Sequence, residues 1–287
     1  MPECWTETTV TIAGELAEAV GSFLLDLGSP GLVTEERAGT VTLTAFLATD
    51  ATAQLAALQV FCDDLQAVAP AAAPARIATR PLPQSDWAQA WMEHFPPLAV
   101  GERLYIVPPW IRDVPADRTS IVIDPGLAFG TGHHATTQGC LILLERALCN
   151  RSIARALDLG TGSGILAIAL AKLGVAEVEA IDVDAEACRA ARDNCARNGV
   201  AQRVHIGTQF TGATRFNLIV ANLLSSALIQ LAPSLVAALA PAAHLIVSGI
   251  LITEAASVGA AFAAHSVIEH SRIEAGEWVT LDLIAAP

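Results

Sequence analysis

Three stretches of this 287-residue chain gather residue types that can do chemistry. The run Leu157-Asp158-Leu159-Gly160-Thr161-Gly162-Ser163-Gly164 joins an apolar, strand-like segment to a helical one. Glycines there let the backbone turn tightly and approach a ligand, at the carboxyl edge where doubly wound sheets bind cofactors. The dinucleotide fingerprint needs its third small residue at position 165, which is Ile165; here the glycines fall at Gly160, Gly162 and Gly164. The second stretch runs from Asp124 through Phe129-Gly130-Thr131-Gly132-His133-His134-Ala135 to Thr136 and Thr137. It offers backbone amides, hydroxyls, two imidazoles and the makings of a mobile lid, while Thr136 and Thr137 also suit capping of the helix that follows. Adjacent histidines point in different directions and no further His, Cys or acidic cluster supplies the remaining ligands, so no metal is expected. The third is Asn222, in Ala221-Asn222-Leu223-Leu224 after an apolar strand, where a strand-end cap is the alternative reading.

The elements that must hold these residues read as two patterns. Residues 4–12 alternate like a half-buried strand and residues 15–27 carry apolar side chains at helical spacing. Strands over 31–36 and 40–47, a helix over 52–68 and a strand near 76–82 complete a small α+β layer of the ferredoxin-like kind. The Ala/Pro stretch 69–74 reads as a hinge. Domains are therefore expected at 1–68 and 86–287, with 69–85 as linker. Trp87 and Trp91 share one helix face and suit an anchor between the two. From residue 120 strands alternate with helices: strands over 121–124, 155–159, 178–181, 204–206, 218–221 and 245–247, helices over 136–148, 165–173, 185–198, 226–239 and 254–265. Such alternation demands a largely parallel sheet with helices on both faces, and strands over 267–273 and 278–284 close it as an antiparallel hairpin.

Composition narrows the function classes. Apolar residues make up 53% of the chain and charged ones only 16%, which excludes an intrinsically disordered chain. Residues 216–253 contain no Asp, Glu, Lys or Arg, a stretch longer than the roughly 20 residues of a membrane-spanning helix. Pro233, Pro241, Gly249 and several polar side chains break it, and the pieces read as strand, helix and strand of a sheet buried on both faces. The start of the chain lacks the basic flank and apolar run of a signal peptide, so a cytoplasmic protein is expected. Six scattered cysteines without a C-x-x-C pair fit a reduced compartment. A net charge of −13 argues against nucleic-acid binding and suits a cationic partner.

The spacing G-x-G-x-G after an acidic residue resembles the first motif of S-adenosylmethionine-dependent methyltransferases. Asp182, ending the next strand in Ala180-Ile181-Asp182, is then placed to accept hydrogen bonds from both hydroxyls of a ribose, with Asp184 the natural cap of the following helix. Together with the 124–137 loop, Asn222 and the block from Asp86-Trp87 to Trp110, these motifs resemble the family that methylates the eleventh large-subunit ribosomal protein, over nearly the whole chain. The resemblance implies an α/β fold with a doubly wound, mostly parallel, Rossmann-like sheet of class I methyltransferases and a small N-terminal ferredoxin-like domain that captures the ribosomal protein. It implies methyl transfer from S-adenosylmethionine, leaving S-adenosylhomocysteine, to lysine side-chain or N-terminal amines. Thr137, Gly160, Gly162, Gly164, Asp182 and Asn222 are the implied cofactor contacts, with Phe129 and Gly130 in a covering loop. Asn222 would orient the attacking amine, and His133 or His134 would relay its proton. Ala135 stands where members often carry Pro or Glu, and Met92 where Lys is usual.

Overall fold

The computed structural model describes residues 4–29, 31–37, 40–48, 51–70, 72–83, 95–124, 132–149, 151–210, 212 and 214–285. The chain divides into two compact units, Met1–Pro96 and Pro97–Pro287. The first unit contains β1 (Cys4–Ala13), α1 (Gly14–Asp26), β2 (Leu32–Arg37), β3 (Thr40–Ala48), α2 (Thr52–Val68) and β4 (Arg76–Pro83). Its antiparallel sheet has the order β2-β3-β1-β4, the ferredoxin-like arrangement. The period-2 pattern of β1 explains its core: Val10 and Ile12 face Leu43 and Val41 of β3 and pack with Val20 and Leu24 of α1 and Leu58 and Cys62 of α2. The rings of Phe23 and Phe61 stack at 4.1 Å, joining the two helices.

The expected linker over 69–85 is corrected here. Residues 76–83 form β4, hydrogen-bonded along β1 with Ile77 opposite Val10. Ile77 packs against the core of the unit, while Arg76, Thr79, Arg80 and Pro81 are exposed, as an edge strand permits. Trp87 and Trp91 lie outside the described residues.

The second unit opens with a three-stranded sheet of β5 (Leu98–Val100), β6 (Leu104–Val107) and β7 (Thr119–Val122), β6 and β7 running parallel. The sequence pattern places residues 121–124 in the large sheet; the structure puts this strand in the small one instead. The reason is local. One edge of β7 pairs with β6, and beyond it the backbone N–H and C=O of Val122 bond the side-chain amide of Asn198 at 2.9 and 2.6 Å, so no further strand is needed.

The large sheet contains β8 (Arg155–Leu159), β9 (Glu177–Ile181), β10 (Val204–Gly207), β11 (Phe216–Asn222), β12 (Leu239–Leu251), β13 (Val267–Ala275) and β14 (Trp278–Ala285), in the order β10-β9-β8-β11-β12-β14-β13. The first five are parallel and β14 and β13 antiparallel, as the closing hairpin predicts. Helices α3 (Ala135–Ala147), α4 (Ile165–Lys172) and α5 (Ala185–Arg197) contribute to the core on one face, α6 (Ser225–Ala237) and α7 (Ala255–Ala263) on the other. Successive strand residues serve opposite cores: Leu218 and Val220 pack with α3 and α4, Ile219 and Ala221 with α6 and α7. That two-sided burial accounts for the uncharged stretch 216–253, and among the described residues no helix is long and apolar enough to cross a membrane. The order reverses between β8 and β11, so the loop after β8 and the end of β11 meet at the switch point.

Candidate active site

The glycine loop is built by its backbone. Gly160, Gly162 and Gly164 have φ of +77°, +53° and +83°, the left-handed region that side chains disfavour. The N–H groups of Gly160 and Thr161 both bond the carbonyl of Ile181 at 2.8 and 3.0 Å, tying the loop to the end of β9. A Cβ on Gly160 would lie 2.4 Å from a methyl of Leu223, so the loop also fits closely against the residue after Asn222. Beneath it, the fully buried Asp158 accepts from the Thr161 hydroxyl at 2.6 Å and the Ala167 N–H at 3.0 Å. Burial pushes its carboxyl up to about 7, against the pull of those two donors and with the charge of Asp182 adding to the rise.

Asp182 stands beside the loop. One carboxylate oxygen accepts the Gly162 N–H at 2.9 Å and the other the Asp184 N–H at 3.0 Å, and Asp184 in turn caps α5 through the Glu186 N–H at 2.9 Å. The cap of α5 is thus Asp184, as the sequence suggests, and Asp182 is held beside the glycine loop. On the other side, His134 is the N-cap of α3, its ring nitrogen accepting from the Thr136 N–H. Its ring meets that of Trp278 edge-on at 5.1 Å. Thr136 and Thr137 are buried, and the side-chain nitrogen of Asn222 donates toward their hydroxyls at 3.2 and 3.5 Å.

Thr137, Gly160, Gly162, Asp182 and Asn222 line one cavity of about 490 Å³, a size ordinary for small-molecule sites. Five of the residues singled out from the sequence are therefore brought together. Gly164 does not line it; it turns the chain into α4 at the helix N-cap. His133 is exposed at the helix start, and Phe129 and Gly130 lie outside the described residues. Sequence reasoning missed the apolar wall of Ile165, Val183, Phe210 and Leu223. Val183 follows Asp182 directly and is 91% exposed. Trp278 and Asn194 were missed as well; the Asn194 side chain donates to the Ser163 carbonyl at 2.9 Å and accepts the Asp124 N–H at 3.2 Å, linking the glycine loop to the root of the second loop. Among the described residues no group of three or more His, Cys, Asp or Glu is gathered to hold a metal ion.

A family model described as "Ribosomal protein L11 methyltransferase (PrmA)" matches residues 4–285. The chain belongs to this family. A ribosomal protein L11 methyltransferase of Trichlorobacter lovleyi is 38% identical over 299 residues, 97% of each chain, and one of Chloroflexus aurantiacus is 43% identical over 233 residues, 71% of this chain and 70% of its own. A crystal structure of a ribosomal protein L11 methylase from Lactobacillus delbrueckii subsp. bulgaricus superposes with a TM-score of 0.62 at 34% identity, covering 67% of this chain and 99% of that one. In this member of the methyltransferase family the cavity at the switch point is the candidate place of methyl transfer, and the fold class expected from the sequence holds.

Proposed function

We propose that this protein is a cytoplasmic enzyme that transfers methyl groups from S-adenosylmethionine to lysine side-chain or N-terminal amino groups of ribosomal protein L11. The observation that carries the reading is the convergence of Thr137, Gly160, Gly162, Asp182 and Asn222 on one cavity. The residues fit the cofactor. Each Asp182 oxygen already holds one backbone N–H, which fixes the carboxylate and leaves lone pairs for a ribose diol. Gly160 and Gly162 allow close approach of a ligand, and Ile165, Val183 and Phe210 supply an apolar wall for a flat ring.

When bound, S-adenosylmethionine supplies a methyl group on a positively charged sulfur, so the carbon–sulfur bond breaks as the carbon–nitrogen bond forms. The protein's task is then to align the amine within about 3–3.5 Å and keep it neutral. A free lysine titrates near about 10.4, and an apolar surround such as Leu223 and Phe210 lowers that value. The side-chain nitrogen of Asn222 is committed to Thr136 and Thr137, and among the described residues its oxygen takes no donor. That oxygen accepts a hydrogen from the amine and points the nitrogen lone pair at the methyl carbon. The proton lost after transfer passes to solvent.

The N-terminal unit, including β4, serves to capture the substrate; the family match spans it from residue 4. A charge of −13 favours encounter with a basic ribosomal protein. Incubation with labelled S-adenosylmethionine and purified ribosomal proteins, followed by mass spectrometry, tests the reading: label on L11 amines is expected, and label on another chain or on none would refute it. Asn222→Ala is expected to cut turnover far more than cofactor affinity.

A further inference from the structure

The side-chain amide of Asn222 can be turned either way about its last bond, and only one orientation presents an oxygen to the cavity. The direction is set from the start of α3. The backbone N–H of Thr136 can only donate, and it points at Nδ1 of His134 at 3.4 Å, which makes that nitrogen an acceptor. The Thr136 hydroxyl lies 2.8 Å from the same Nδ1 and therefore donates its single proton there. Its oxygen is left only as an acceptor, and the group 3.2 Å away on Asn222 must be the NH2. The Thr137 hydroxyl oxygen, 3.5 Å from the same nitrogen, offers a second acceptor. Asn222 lines the cavity, and with its NH2 turned to the two threonines the carbonyl oxygen is the end of the amide left for it.

We propose that His134 is a positioning residue: acting through the Thr136 hydroxyl, it fixes the amide of Asn222 with its oxygen toward the methyl-accepting amine. With Nδ1 accepting, the ring carries its proton on Nε2, which removes it from the role of proton relay. The edge-on Trp278 ring holds the imidazole in place. The inference rests on the reading that Asn222 receives the amine.

The test compares turnover in Thr136→Val, Thr136→Ser, His134→Ala, the His134→Ala/Thr136→Val pair and Asn222→Ala, with cofactor affinity followed by calorimetry. Thr136→Val and His134→Ala are each expected to lower kcat about tenfold, the worth of one hydrogen bond, at little changed cofactor affinity. Thr136→Ser recovers most of the loss, and the pair is no worse than either single change because both cut one chain of bonds. An Asn222→Asp protein presents an oxygen whichever way its carboxylate turns, so adding Thr136→Val there costs nothing further. If Asn222→Ala loses turnover while Thr136→Val and His134→Ala keep it, or if their losses add, the inference is overturned and the role of Asn222 stands. If Asn222→Ala turns over normally, it is that role which fails.

Discussion

The carboxylate of Asp182 accepts the backbone N–H of Gly162 at 2.9 Å, a bond that spans twenty residues of sequence and joins the end of β9 to the middle of the glycine loop. A single side chain therefore shapes the loop and lines the cavity beside it, where the proposed reading gives it the ribose of the cofactor. Asp182→Ala removes both functions. Hydrogen bonds to a charged group are worth about 1.5–3 kcal/mol, so the loss of two to a ribose is expected to weaken S-adenosylhomocysteine binding by at least about a hundredfold. Asp182→Asn, which keeps one acceptor, should lose about a tenth as much. Calorimetry with S-adenosylhomocysteine decides this; an affinity within threefold of the parent would remove Asp182 from the site.

Gly249 supports the same cavity from outside it. Its φ is +82°, and a Cβ there would stand 2.3 Å from the carbonyl oxygen of Leu223, whose side chain lines the cavity. Gly249→Ala forces that backbone aside on top of a left-handed strain of about 1–2 kcal/mol. A loss of about 3 kcal/mol would lower the melting temperature by roughly 6–12 °C for a unit of this size. Gly276 provides the control: its φ is +62° with nothing within 4 Å of an added Cβ, so Gly276→Ala should cost the strain alone. Equal melting temperatures for the two variants would show that the contact with Leu223 does not matter.

Gly249 also marks the limit of what the chain discloses before it is folded. In the sequence it is only a break in an apolar stretch, because the atom it makes room for lies on Leu223, just past the end of the neighbouring strand β11, at a register no local pattern contains. The glycine loop, Asp182 and Asn222 were legible for the opposite reason: each sits at the carboxyl end of a strand whose apolar run is short and clearly bounded. The small sheet was misassigned because β7 looks like any parallel strand; its second edge is closed by a side-chain amide, Asn198, and side-chain mimicry of a strand leaves no periodic trace. The role of His134 was hidden likewise. An imidazole before two threonines suggests acid–base work, and only the direction of three hydrogen bonds turns it into a cap that orients another residue.

Asn194 offers a test of how the two loops are held together. Its amide satisfies the Ser163 carbonyl and the Asp124 N–H, and Arg197 reaches the Asp124 carboxylate at 3.0 Å from the next turn of α5. Leaving a buried polar group unpaired costs about 1–3 kcal/mol, so Asn194→Ala is expected to lower stability by about 2–4 kcal/mol. Asn194→Leu fills the same volume without restoring either bond. Urea unfolding should therefore find the two variants similarly weakened, and full recovery in Asn194→Leu would mean that packing alone is at stake.

The buried carboxyl of Asp158 links stability to pH in a direction opposite to that of most aspartates. Burial raises it from the ordinary 3.8 to about 7, so between those values the folded chain holds a proton that the unfolded chain has released. Unfolding in that window sheds the proton and becomes easier as pH rises. The contribution is fully present below pH 4, falls by up to about 1.4 kcal/mol per unit from there to pH 7, and is flat above. Asp158→Asn keeps an oxygen for Thr161 and Ala167 and cannot ionise, so its unfolding free energy should fall less steeply than the parent's across pH 5 to 7. Every other titrating group is common to both proteins and cancels in the difference. Urea unfolding at pH 5, 6, 7 and 8 measures it directly; parallel curves would mean that Asp158 is ionised in the folded state throughout, and that the loop is built on a charge rather than on a proton.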